Sequence, residues 1–413
     1  MAGRLRQLRQ RAESIFAIVS FGASSLYWLA LAFTMSATEY GAMMTAQAAV
    51  LLIVAVFTFR THDLVYYLVS SVDQPLGRSW RIGLTVETAA AGASIAICAA
   101  GAWLFSGRLA VEASPVLLAL FALLASLAVM QGATIAKLRH SHRADRIVRA
   151  DAACIAAWGA VAAAAVAMPD HPPAMMLVLG AAPQAVRTVS LIAQSLGDGL
   201  DTERPPRPAA GLVAKYLAGG QMINVVKNGA TSIETMIVAA FAAPGTVAMY
   251  RLAKSTLGAA SAAGNVAFQQ GFASIAKAPS SEDKARVWRG MDRRSLRLFL
   301  AALPLSAGFA LVYGLQKPEI SIVEFELITL GVFAAFVPSI LLQGPFVIVS
   351  VEGRHGVANR AFLLSLVVLL AGSTLLFAFP SIWVFLAAVI ASSVTRYLVL
   401  ARAARTFLAA PRP

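Results

Sequence analysis

Apolar residues dominate this chain in runs of about twenty, separated by short polar stretches, which is the length an α-helix needs to cross a bilayer core. Twelve such runs can be drawn, at roughly 14–36, 40–66, 82–106, 114–136, 150–168, 173–196, 212–243, 246–276, 298–315, 321–350, 358–379 and 381–401. Each predicts a membrane-spanning helix, because a backbone in lipid has to satisfy its own N–H and C=O groups. The opening "MAGRLRQLRQRAES" superficially resembles a signal peptide, but the apolar run after it is too long for one and further spans follow, so it predicts an uncleaved first helix.

Composition agrees with the pattern. Of the 413 residues, 59% are hydrophobic and 13% charged, and the mean hydropathy is +0.73. Soluble domains carry about 25% charged residues, so a water-soluble fold is excluded for lack of polar surface. The formal net charge of +14 lies in short clusters between apolar runs, which argues for cytosolic loops and against a nucleic-acid surface. With the N-terminus inside, 26 of the 34 Lys and Arg fall in cytosolic loops and tails, and only Arg108 and Lys317 fall outside. Both termini are then cytosolic. Six cations remain within or at the edges of spans: Arg60, Arg187, Lys227, Arg251, Lys254 and Arg396.

The Pro-rich stretch "GDGLDTERPPRPAAG" divides the chain into an N-terminal six-helix bundle (1–200), a cytosolic linker (201–211) and a C-terminal six-helix bundle (212–413). The halves echo each other weakly, with Ala42-Met43 recurring as Ala248-Met249 at an offset of 206 residues, and parallel six-helix repeats are a known transporter architecture. The fold class expected is therefore an all-α integral membrane protein, with about twelve transmembrane helices in two pseudo-symmetric bundles.

Several chemistries are absent from the sequence. It contains no GxxxxGK[ST] phosphate loop, no HExxH helix and no GxSxG elbow. Cys98 and Cys154 lie in apolar runs and suggest neither a disulfide framework nor a CxxC metal site, and His140 and His142 sit among arginines in a basic loop. No cofactor or metal is expected. A membrane glycosyltransferase would need catalytic groups on a sizeable loop, and the external loops here are short.

Polar residues inside the apolar runs carry the functional signal. Asn224, Lys227, Asn228, Thr231 and Glu234 follow steps of three and four, and Arg251, Lys254, Ser261, Asn265 and Gln269 repeat the pattern in the next run. A charge at the bilayer centre costs about 2.5–3.5 kcal/mol on insertion scales, so both stripes are expected to face protein or water. Glu234 and Arg251 fall at similar depth and could pair, either as a packing pair or with Glu234 as an ion-coupling carboxylate, while Lys227 and Lys254 have no evident acidic partner in these two runs. Arg60 could pair with Asp63 or Glu87 or snorkel to the interface, and Arg187 and Arg396, near cytosolic ends, are expected to snorkel. Tyr27, Trp28, Tyr66 and Tyr67 read as belt or packing residues, and Pro183, Pro304, Pro338 and Pro345 as points where helices bend.

With these features, and with "SATEYGAMMTAQA" after the first run and "PGTVAMYRLAKS" opening the eighth, the chain resembles the O-antigen-type polysaccharide flippases of the multidrug/oligosaccharidyl-lipid/polysaccharide (MOP) exporter superfamily. The resemblance implies a V-shaped pair of bundles around a central cavity. It also implies alternating-access translocation of a polyprenyl-diphosphate-linked oligosaccharide across the bacterial inner membrane, for surface polysaccharide biosynthesis. Lys227, Arg251 and Lys254 would hold the diphosphate; Asn224, Asn228, Asn265 and Gln269 would contact sugar, and Arg60 joins the substrate-binding set. The partners implied are the lipid-linked oligosaccharide, membrane lipids and other polysaccharide assembly proteins, with no nucleic acid and no enzymatic step. The rival within the superfamily is a multidrug/cation antiporter, whose proton-coupled members use an aspartate and a bending proline in the first helix; "SIFAIVSFGASSLYWLALAFTMS" has neither. A lipid-linked peptidoglycan precursor flippase, usually with two more helices, ranks third, and a non-transporting scaffold is disfavoured by the inward charges.

Overall fold

A computed structural model describes residues 2–104, 115–168, 170, 172–196, 210–257, 275, 278, 280–351 and 354–409. The described residues are helical throughout, without strands. In chain order the helices are α1 (Ala2–Thr34), α2 (Ala37–Phe57), α3 (Thr61–Ser71), α4 (Leu76–Leu104), α5 (Pro115–Val129), α6 (Gly132–His140), α7 (Ala144–Ala167) and α8 (Pro173–Leu196), then α9 (Ala210–Phe241) and α10 (244–257). They continue with α11 (Ser281–Gln316), α12 (Ile322–Leu341), α13 (Gln343–Val351), α14 (His355–Thr374) and α15 (Ile382–Ala409). Among the described residues, nine segments are long and apolar enough to cross a membrane. Helices also form over the first and seventh runs, in α1 and α9, and over the described start of the eighth, in α10. The chain is a multi-pass membrane protein.

Among the described residues, three spans are broken. The second is interrupted at 58–60 between α2 and α3, the fourth at 130–131 between α5 and α6, and the tenth at Leu342 between α12 and α13. Pro338 and Pro345 flank the last break, where two missing N–H donors weaken the helical ladder, whereas Pro183 and Pro304 lie inside uninterrupted helices. At the other two breaks one carboxylate does the joining: Glu87 of α4 accepts from the Thr61 hydroxyl at the start of α3 and from the Ala133 amide, 2.9 Å away, at the start of α6. At α6 the carboxylate meets an unsatisfied N–H group, and at both helices it lies at the positive end of the dipole.

The chain forms two compact units. The first comprises Met1–Trp28 and Ala46–Ser232, the second Leu29–Thr45 and Ile233–Pro413. Residues 29–45 thus group with the C-terminal half and 210–232 with the N-terminal half, so α1, α2 and α9 each contribute to both units. The linker 201–211 lies almost wholly outside the described residues.

The internal architecture of the units repeats. α8 packs on α5 and α7 as α15 packs on α12 and α14. Arg143 caps α7 with φ −96° and ψ 46°, and Arg354, 211 positions on, caps α14 with φ −90° and ψ 49°. Trp80 donates to Thr134 of α6 at 3.1 Å, and Trp288 packs on Gly344 of α13 so tightly that a Cβ there would lie 2.2 Å from its Cδ1. The echo at Met43 and Met249 falls on buried residues, where the starts of α2 and α10 cross; a Cβ on Gly41 would sit 1.8 Å from the Pro244 carbonyl oxygen.

At the ends of α1 and α11 the second unit is tied by loop contacts. Lys317 donates to the Met35 carbonyl at 2.7 Å and Glu319 accepts from the Ala37 amide at 3.2 Å. Hydrogen bonds from its own amide and from Ala37 hold the Glu319 carboxyl below its usual range.

Candidate functional site

The second unit contains an ionic cluster built by α9, α10 and α15. Glu234 forms a salt bridge with Lys254, both side chains only 11% exposed, and also accepts the hydroxyl of the fully buried Tyr250. Arg251 places Nη2 3.8 Å from the Met44 sulfur. Arg396 of α15 donates from Nη2 to Ser339 Oγ at 3.0 Å and lies 5.2 Å from the centre of the Phe362 ring. Glu234 acts electrostatically on Arg251, Lys254 and Arg396 alike. Among the described residues, the cation in direct contact with Glu234 is Lys254.

The first unit balances its charges differently. Arg187 of α8 pairs with the buried Asp151 of α7 and donates to Gln131 at the break between α5 and α6. Lys137 donates to the Ser195 carbonyl at 2.8 Å and lies 3.9 Å from the Trp80 ring centre. Arg60, 34% exposed, pairs with Asp63 at the start of α3, one of the two partners expected for it.

Two expectations are corrected. Lys254 does have an acidic partner, and the salt bridge of Glu234 is with it: Lys254 lies twenty residues beyond Glu234 across the turn between α9 and α10, where the ammonium reaches the carboxylate. Arg187 and Arg396 do not snorkel; both guanidinium groups turn into helix-helix contacts, on Asp151 and Gln131 in one case and on Ser339 and Phe362 in the other. Lys227, Asn224 and Asn228 lie on α9 as expected, but their side chains fall outside the described residues, as do Asn265 and Gln269 entirely. Asp151, Glu87 and Tyr250 were not legible as site residues. Asp151 and Glu87 carry the same signal as Glu234, a lone carboxylate in an apolar run, and of the two the sequence suggests only Glu87, as a partner for Arg60.

Tyr27 and Trp28 pack, as expected for such residues. The Tyr27 hydroxyl donates to the Met176 carbonyl at 2.7 Å, and the two rings meet edge to face at 5.0 Å.

No protein-family profile matches the chain, and no curated protein matches it significantly. Solved structures do. One is a multidrug resistance MATE family transporter of the MOP superfamily in an inward-facing conformation, with a TM-score of 0.62 and 11% identity over 95% of this chain and 94% of that one. This chain has the MATE fold. A second similar structure, a MATE protein in a bent conformation, gives a TM-score of 0.61 and 12% identity over 98% of this chain and 96% of that one. The MATE fold covers nearly the whole chain, so the two units with their repeated internal architecture belong to it, and the neighbours that share it are transporters rather than enzymes.

Proposed function

We propose that the protein is a transporter of the MOP superfamily that flips a polyprenyl-diphosphate-linked oligosaccharide across the bacterial inner membrane by alternating access, with both termini cytosolic. The observation that carries this reading is the concentration of cations in the second unit, where Lys254 pairs with Glu234 and Arg251 and Arg396 also turn into the protein. Uncompensated cations are costly in hydrocarbon, and an anionic diphosphate offsets that cost through charge-assisted hydrogen bonds. Arg251 and Lys254 take the phosphates, joined by Lys227 of α9, while Asn224, Asn228, Asn265 and Gln269 serve the sugar and Arg60 serves at the start of α3.

The test is export of lipid-linked sugar after substitution of Lys227, Arg251 and Lys254 by Gln, with Glu234→Gln added so that no carboxylate is left orphaned. Export falls at unchanged protein level if the reading holds. Unchanged export, or a purified protein that binds cationic drugs and ignores polyprenyl diphosphates, favours the second reading, a multidrug/cation antiporter. That reading is supported by the multidrug resistance transporter among the fold neighbours and by the buried carboxylate Glu234.

A further inference from the structure

The internal repeat places two arginines in equivalent positions and gives them unequal partners. Arg187 and Arg396 are each the fifteenth residue of their helices, counted from Pro173 and Ile382. Each helix packs on the broken span of its own unit. In the first unit the guanidinium is neutralised by Asp151, the eighth residue of α7, and held by Gln131 at the break. The eighth residue of α14 is Phe362, and the glutamine at the second break is Gln343, whose Oε1 is buried with no partner among the described residues. Arg396 keeps a hydroxyl, from Ser339, and the face of a ring, but Nε is buried and has no acceptor among the described residues. The nearby carboxylate, Glu234, is already bound by Lys254 and Tyr250.

A buried guanidinium with an unused N–H and no carboxylate of its own is left short of both charge and hydrogen bonds. A ring face supplies only a quadrupole where the other unit supplies a full charge. We propose that Arg396, bonded to Ser339 in the last turn of α12 before the break of the tenth span, is an oxyanion subsite that binds a phosphate group, the ligand taking the electrostatic role that Asp151 fills in the first unit. The planar fork of Arg396 suits two phosphate oxygens. For the identity of its ligand the inference rests on the transporter reading above; for its geometry it rests on the second unit alone.

The experiment measures binding of inorganic pyrophosphate to the purified full-length protein in detergent. The wild type binds, and Arg396→Gln weakens binding about tenfold or more, the scale of removing one partner of a buried charge pair. Phe362→Asp, which gives the second unit the carboxylate of the first, weakens it similarly by neutralising the guanidinium from within, while Phe362→Leu binds as the wild type does. Thermal unfolding checks that each variant is folded; if Phe362→Asp is not, Arg396→Gln decides. Absence of binding by the wild type, or undiminished binding by Arg396→Gln, overturns the subsite. In nanodiscs, competition by phosphatidylglycerol assigns the phosphate to a phospholipid headgroup, and competition by undecaprenyl diphosphate alone assigns it to the cargo; either outcome upholds the subsite. Pyrophosphate binding that persists in a protein unable to export lipid-linked sugar removes the flippase reading and leaves the subsite standing.

Discussion

Glu234 serves as a structural partner before it serves as anything else. Its carboxylate holds Lys254 and the Tyr250 hydroxyl in a place where all three are nearly dry, and removing one member of a buried pair is expected to destabilise by about 3–5 kcal/mol because the other charge is left uncompensated. Glu234→Gln should therefore lower the unfolding temperature in detergent, and the double variant Glu234→Gln with Lys254→Met should recover most of the loss, since an apolar replacement for an ion pair is often neutral. Loss of transport by Glu234→Gln with unfolding unchanged would assign the residue to ion coupling instead.

At the scale of elements, the broken spans distinguish this molecule from a plain helix bundle. Each break is braced from a neighbouring helix: Glu87 caps α6 and accepts the Thr61 hydroxyl at the start of α3, Trp80 bonds Thr134 in α6, and Trp288 covers Gly344 in α13. The indole leaves no space for a side chain at position 344, so Gly344→Ala is expected to cost about 1–3 kcal/mol by overpacking. Gly308→Ala in α11, where a Cβ meets nothing within 4 Å, should be close to neutral or slightly stabilising. A fluorescence-monitored unfolding series on the two variants separates them, and equal stability would mean that Trp288 moves aside without penalty.

For the whole molecule, the proposed orientation follows from the excess of Lys and Arg in alternate loops. Reporter fusions at Arg108, His171 and Lys317 are expected to score external and those at Arg143 and Arg289 internal, and a single clear inversion would break the twelve-span map. α1, α2 and α9 each contribute residues to both compact units.

What the sequence determined by itself is set by solvent. Runs of about twenty apolar residues require helices because nothing else satisfies a backbone in lipid, and the cost of exposing charge there is why Glu234 and Lys254 were expected to face protein or water. The repeat was visible only as a faint offset at Met43 and Met249, since helix packing constrains residue identity far more loosely than shape and volume. Partner choice was decided by tertiary structure. Whether Glu234 meets Arg251 or Lys254 depends on the turn and rotation between α9 and α10, and whether Arg187 and Arg396 reach water or protein depends on the helices packed beside them. These are differences of a few ångströms, and periodicity along the chain does not encode them.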